Sequence, residues 1–215
     1  MNLDDWANLY VSEDRRRRFR EVLARRLDCL TLVFEHVGDP HNVSACLRVA
    51  DAFGLGRVIH YADGRYHRNS QVSMHSDLWV DVLNFQRFED TVDRARRDGF
   101  TLVGTVVDES GAIPFDQLEP PAKTALVLGS EHGGISPEMR AACDHLVTIP
   151  TCGFADSLNL ATAAAILVRH FANAYRQRGG PGVLLDPAEQ ERLYRLWIER
   201  DVRLKLSKRG VQAKF

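Results

Sequence analysis

Short apolar runs alternate with helix-forming stretches through most of this chain, and that alternation admits few folds. Leu30-Thr31-Leu32-Val33-Phe34, Val58-Ile59-His60-Tyr61, Trp79-Val80-Asp81-Val82-Leu83, a run over 100–107, Ala125-Leu126-Val127-Leu128 and Leu146-Val147-Thr148-Ile149 each read as strands. Helices are expected over 42–53, closed by Gly54, over 87–98, closed by Gly99, and over 137–143, opened by Pro137. A further helix should run to about Tyr175 with Asp156 or Ser157 as its cap. Strands separated by helices pair in parallel, and a parallel sheet must be covered on both faces. The expectation is an α/β fold on a mostly parallel sheet.

Both ends of the chain differ from this middle. Residues 14–28 read as an amphipathic helix, with Phe19, Val22, Leu23 and Leu27 forming an apolar stripe among arginines. After Arg178-Gly179-Gly180-Pro181-Gly182 the composition shifts, and 187–208 reads as a basic helix. This divides the chain into an N-terminal helical extension (1–28), a central α/β domain (29–178) and a C-terminal helical extension (179–215). The net charge of −1 hides the arrangement. Arg15, Arg16, Arg17, Arg18, Arg20, Arg25 and Arg26 crowd one end, and Arg192, Arg195, Arg200, Arg203, Lys205, Lys208, Arg209 and Lys214 the other. Such clusters attract a phosphate backbone. The competing reading is a solvated helix face, because Glu13, Asp14, Glu21, Glu189, Glu191 and Glu199 are interleaved at pairing distance. Two basic ends around a near-neutral middle favour nucleic acid.

Composition removes several classes. No run approaches the roughly 18 apolar residues of a membrane span, and the N-terminus has no apolar segment of the signal-peptide kind, so a cytoplasmic protein is expected. Cys29, Cys46, Cys143 and Cys152 form no CxxC pair and no ligand spacing, which points to free thiols and no structural metal. Eight histidines include no HExxH pattern.

Three loops at strand ends carry polar residues that a core does not need, and ligands of open parallel sheets bind at that edge. The first is His41-Asn42-Val43-Ser44-Ala45-Cys46-Leu47-Arg48. Asp39 or Asn42 can cap its helix, but Arg48, set among Val43, Leu47, Val49, Ala50 and Phe53, needs solvent or an anion such as phosphate. In the second, Gly129-Ser130-Glu131-His132-Gly133-Gly134, glycines on both sides of Glu131 permit left-handed backbone and close ligand approach. The third runs from Ile149 and Pro150 through Gly153 to Ser157-Leu158-Asn159, followed by Ala161, Thr162, Ala163, Ala164 and Ala165, small enough to admit another backbone or a flat ligand. No Gly-Lys-Ser/Thr supports a phosphate loop, and Gly54-Leu55-Gly56 is too short for a dinucleotide fingerprint. Ser130, His132 and Asp144 suggest a hydrolase triad, yet no serine sits in a Gly-x-Ser-x-Gly elbow. Long connections over 62–78 and 108–123 are of the length that carries function, the first holding His67, Arg68, Asn69, Ser70 and His75.

In order and spacing these loops resemble the three motifs of the SpoU branch of the SPOUT RNA ribose 2′-O-methyltransferases, also called the TrmH family. Asn42 to Arg48 with Asp51-Ala52-Phe53-Gly54 is similar to motif one, Leu128 to Gly134 to motif two, and Ile149-Pro150 to Ser157-Leu158-Asn159 to motif three. The resemblance covers about residues 30–175, and the two basic ends further resemble the members that act on a D-loop guanosine of tRNA.

The resemblance implies a sheet closed by a deep C-terminal trefoil knot, an exception to the rule against threading. It implies S-adenosylmethionine held largely by backbone groups at Thr105, Gly129, Ile149 and Leu158, and a homodimer in which Arg48 serves the partner's site. Arg48 is then the leading catalytic residue, on the RNA phosphate and in removing the ribose proton, although a free guanidinium is a poor base. Asn42, Glu131, Ser157 and Asn159 would hold the reactants in attack geometry. Thr151 and Leu160-Ala161 depart from the Met and Val-Ser usual in motif three, and His75 and Leu78 stand where Gly and a basic residue are usual. The activity implied is tRNA 2′-O-methylation; a wobble nucleotide, a ribosomal RNA nucleotide, or RNA binding without catalysis are the alternatives.

Overall fold

The computed structural model describes residues 2–64, 76–107 and 110–210. In chain order the elements are α1 (Leu3–Tyr10), α2 (Glu13–Leu23), β1 (Leu30–Glu35), α3 (Pro40–Phe53), β2 (Arg57–Tyr61), a 3₁₀ turn (Ser76–Leu78), β3 (Asp81–Phe85), α4 (Phe88–Arg97) and β4 (Thr101–Thr105). They continue with β5 (Ile113–Pro114), β6 (Thr124–Leu128), α5 (Pro137–Ala142), β7 (His145–Thr148), α6 (Leu160–Arg178) and α7 (Pro187–Ser207). Residues 27–183 form one compact unit, and residues up to 26 with those from 184 onward form another.

The larger unit is an α/β fold whose seven strands pair entirely in parallel in the order β3-β2-β1-β6-β4-β7-β5. From β1 the chain steps outward through β2 to β3, and the later strands β4 to β7 all lie on the other side of β1. The direction of winding therefore reverses at the β1/β6 boundary, and open parallel sheets bind ligands at such a switch point, outside the carboxyl ends of the strands. Register fixes what meets at that edge. Phe34 lies opposite Leu128, Gly104 opposite Val127, and Thr105 opposite Val147.

Period-two alternation decides which side chain joins which layer. Leu32, Phe34, Leu126 and Leu128 join Leu47 and Ala50 of α3 and Leu167, Phe171 and Tyr175 of α6 on one face. Val33, Ala125, Val127 and Leu102 join Ala95, Phe100 and Met139 on the other. Each fully buried Leu or Phe contributes on the order of 1.5–3 kcal/mol. The alanines at the start of α6 belong to this packing: Ala164 is buried, Ala161 lies against the cluster, and α6 packs along α3.

Several boundaries differ from expectation. Helix α3 starts at Pro40, capped by Asp39, whose carboxylate accepts from the His41 N–H at 2.8 Å; this places Asn42 inside the first turn. It ends at Gly54, whose φ of +88° suits glycine. The cap of α6 is Asn159, not Asp156 or Ser157. The third strand begins at Asp81, because the N–H groups of Trp79 and Val80 turn back to the Ser76 carbonyl. Strand β5 carries no sequence signal: two residues give no alternation to read, and its proline is tolerated because the strand lies at the sheet edge. The polar residues read as a covering loop, His67, Arg68, Asn69, Ser70 and His75, lie outside the described residues.

In the smaller unit, α7 buries Leu193, Trp197, Ile198, Val202 and Leu206, and the Phe19 ring of α2 meets Trp197 edge-on at 5.6 Å. Buried Asp201 is paired by Arg15 at 3.3 Å and Lys205 at 2.7 Å, as a buried charge requires. Outside, acids and bases pair as their spacing suggests: Arg17 with Asp14, Arg192 with Glu189, Arg195 with Glu191 and Arg203 with Glu199. Helix α1, not expected from the sequence, is held by a reciprocal capping box between Asn2 and Asp5. No helix among the described residues is long and apolar enough to cross a membrane.

Candidate functional site

Because β1 and β6 are neighbours in register, the loops that follow them emerge side by side, and the first turn of α3 faces the loop after β6. Asn42 Nδ2 donates to Glu131 Oε1 at 2.6 Å, and Asn42 Oδ1 accepts from Asn159 Nδ2 at 3.3 Å. Asn159 Oδ1 in turn accepts from the Ala161 N–H at 2.9 Å, so the cap of α6 also terminates this chain of bonds. Three segments far apart in sequence are thus joined by one half-buried amide. The bonds all run toward the Glu131 carboxylate, and such a directed chain is mutually strengthening. Each amide has one further N–H to offer a ligand.

Glu131 is carried on a rigid loop. Ser130 and Gly134 exchange backbone hydrogen bonds at 3.0 and 2.9 Å, and the Gly133 N–H donates to Ser130 Oγ at 3.2 Å. Gly134 takes a φ of +63°, the left-handed backbone expected of this loop. Gly129 serves a different need: a Cβ there would overlap the Gly134 carbonyl and the Ile135 nitrogen. One turn beyond Asn42, Cys46 is fully buried, and its thiol is pushed up to about 12, first by burial and then by the Glu131 charge.

Three of the four positions expected to hold the cofactor lie at the ends of neighbouring strands. Thr105 ends β4, Gly129 follows β6 and Ile149 follows β7, on three adjacent strands in the order β6-β4-β7. Thr105 Oγ1 donates to the Val127 carbonyl at 2.9 Å, which ties its strand end to the neighbour. Leu158 directly precedes the Asn159 cap. Val107, Phe154 and Leu158, on the segments that follow these strands, are exposed apolar side chains.

Arg48 and Ser157 are not drawn into the Asn42 cluster. Arg48 lies six residues beyond Asn42, about 120° away round the helix at 100° per residue. It is exposed and makes no ion pair among the described residues. Ser157 is exposed in the segment before α6, and no hydrogen bond joins it to Asn42, Glu131 or Asn159.

One pair of residues escapes a reading of the sequence. Glu35, the last residue of β1, is only 2% exposed, and its two carboxylate oxygens accept from the N–H and the hydroxyl of Ser136, at 2.8 and 2.6 Å. The signal is a carboxylate closing an otherwise apolar strand.

The SpoU rRNA Methylase family matches residues 29–169. The tRNA (guanosine(18)-2′-O)-methyltransferase of Escherichia coli K12 is 33% identical over 190 residues, which span 85% of this chain and 81% of that protein. The solved Aquifex aeolicus TrmH/SpoU tRNA modifying enzyme superposes with a TM-score of 0.78 at 28% identity, over 88% of this chain and 98% of that one. The SpoU methyltransferase AviRb of Streptomyces viridochromogenes, solved in complex with AdoMet, gives a TM-score of 0.59 at 29% identity, over 74% of this chain and 61% of that one.

Proposed function

The chain belongs to the SpoU methylase family, and on that premise we propose that it methylates a ribose 2′-hydroxyl of tRNA, that of guanosine 18, with S-adenosylmethionine as donor. The observation that carries the reading is the Asn42 bond pair, which gathers the three motif loops into one site at the sheet's carboxyl edge.

S-adenosylmethionine, when bound, supplies an electrophilic methyl group on a sulfonium. Thr105, Gly129, Ile149 and Leu158 would hold it through their backbone groups. Asn42 and Asn159, each locked by its other bonds, present their remaining N–H groups toward RNA, while Glu131 keeps Asn42 in one rotamer and places negative charge beside the site. Fixed orientation of this kind supplies a large share of a transfer rate. Ser157, exposed two residues before the Asn159 cap, is assigned with Asn42, Glu131 and Asn159 to holding the reactants in attack geometry.

Arg48 binds a phosphate through its planar fork. Its position round α3 from Asn42 and its exposure support service to a second copy of the chain, so the active form is a homodimer with Arg48 completing the partner's site. The trefoil knot belongs to the same reading, supported by the all-parallel order with β4 between β6 and β7. The enzyme works in the cytoplasm on tRNA, and the basic faces of α2 and α7 supply affinity for its backbone.

The test is methylation of a tRNA transcript by the purified protein with labelled donor, followed by mass-spectrometric mapping. Label on the ribose of guanosine 18 is the expected result. Label elsewhere, or none despite donor binding, overturns it.

A further inference from the structure

The structure assigns Glu35 a positioning role: it fixes the loop that presents Glu131, and through Glu131 it sets the rotamer of Asn42. This rests on the proposal that the Asn42 cluster is the working site.

Acceptor count decides which side chain can stand at position 35. Ser136 offers Glu35 two donors at once, its N–H to Oε2 at 2.8 Å and its hydroxyl to Oε1 at 2.6 Å. Ser136 Oγ has a single proton to give, which goes to the acceptor-only carboxylate, while a lone pair of the same oxygen accepts from the Met139 N–H at 3.0 Å as the cap of α5. Both oxygens of the buried side chain accept, as a carboxylate does; an amide keeps one acceptor and leaves the hydroxyl proton without its partner. An acid stands here at the cost of desolvation, although α5 would be capped by Ser136 alone.

The clamp sits where it controls the loop. The segment between β6 and α5 has two ends. At one, Gly129 is wedged against Gly134 and Ile135. At the other, Ser136 is held by Glu35 from the neighbouring strand. Ser130 and Gly134 are bonded to each other between them, so the loop moves as a body and Glu131 moves with it. Glu131 reaches Asn42 at 2.6 Å, a distance that a shift of a few tenths of an ångström alters. From Glu35 the order passes to Ser136, the loop, Glu131, Asn42 and Asn159, and ends at the first turn of α6.

The test uses the full chain with Glu35→Gln, which keeps volume and removes one acceptor, and Ser136→Ala in case the first variant folds poorly. Two readouts separate positioning from general support. The first is the side-chain amide resonance of Asn42 by ¹⁵N NMR. It should move toward that of a free amide in either variant, and an unmoved resonance overturns the assignment. The second is a double-mutant cycle on kcat at saturating tRNA and donor. Glu35→Gln should lower kcat about tenfold in the native background and less than about twofold with Glu131→Gln already present. An equal loss in both backgrounds means that Glu35 only supports the fold, and it overturns the role. If Glu131→Gln alone leaves kcat intact, the working-site reading fails, and the amide resonance still decides whether Glu35 orders Asn42.

Discussion

Asn42 and Glu131, 89 residues apart in sequence, meet at 2.6 Å because β1 and β6 are neighbours in the sheet. The bond lies at the surface, so it orders the site while adding little to the fold.

Replacing Asn42 with Asp sets one carboxylate against another and removes the donor. We expect kcat for tRNA methylation to fall at least about 100-fold while donor affinity stays within about threefold. The stability lost should not exceed about 1 kcal/mol. Calorimetry and steady-state kinetics on one preparation check all three. Retention of normal kcat removes Asn42 from the site.

Arg48→Ala should lower methylation at least about 100-fold under saturating tRNA and donor. Arg48→Lys should not restore it, since a point charge lacks the planar fork. Mixing and reassembling the Arg48→Ala and Asn42→Asp proteins should regain about a quarter of native activity if Arg48 serves the partner's site, because half the dimers then hold one intact site. No regain places Arg48 in its own protomer's site.

Gly129 and Gly153 both sit in motif loops but differ in clearance. A Cβ at Gly129 overlaps the Gly134 backbone, whereas at Gly153 the nearest atom, the Ala155 nitrogen, lies 4.0 Å away. Gly129→Ala should cost about 3 kcal/mol. Gly153→Ala should be nearly neutral. Denaturant midpoints compare them directly.

Burial, the largest cause in each case, pushes Cys46 and Cys143 up to about 12 and Cys29 up to about 11, while Cys152 is exposed. One thiol of the four should react quickly with a disulfide reagent in the native protein. A raised native pKa means that the unfolded chain loses its protons first. The stability these thiols contribute is complete below about pH 8.5 and is lost progressively as pH rises toward their native values. The urea midpoint should accordingly fall between mildly and strongly alkaline buffer, and a flat profile would show that the buried thiols contribute nothing.

The exposed ion pairs of α2 and α7 are individually weak and can be exchanged for phosphate. Because α7 buries Trp197, Ile198 and Val202, deleting it would strip the interior of its unit, so charge should be neutralised instead. Converting Arg17, Arg18 and Arg195 to Gln should weaken tRNA binding and reduce its log–log salt slope by about 0.7–0.9 for each phosphate no longer neutralised. Unchanged affinity and slope would remove these arginines from the RNA surface.

The alternation of apolar runs with Gly- and Pro-punctuated helices determined the α/β class, most strand positions and the loops that carry the site. Those features are written locally, in period-two and helical spacing. Strand order is not local. That β6 flanks β1 on the side away from β2 decides that Glu131 meets Asn42 and that Asn159 closes the set, whereas the turn of Arg48 away from them follows from helical spacing. Motif spacing could nominate Asn42 and Glu131 because glycine and polar residues at a strand end stand out. It passed over Glu35 and Ser136, since a lone acid and a helix-capping serine look ordinary until the sheet places them against each other. Only tertiary structure brings two buried acceptors to two donors about 100 residues away, and the cost of leaving any of them unpaired is what fixes the loop.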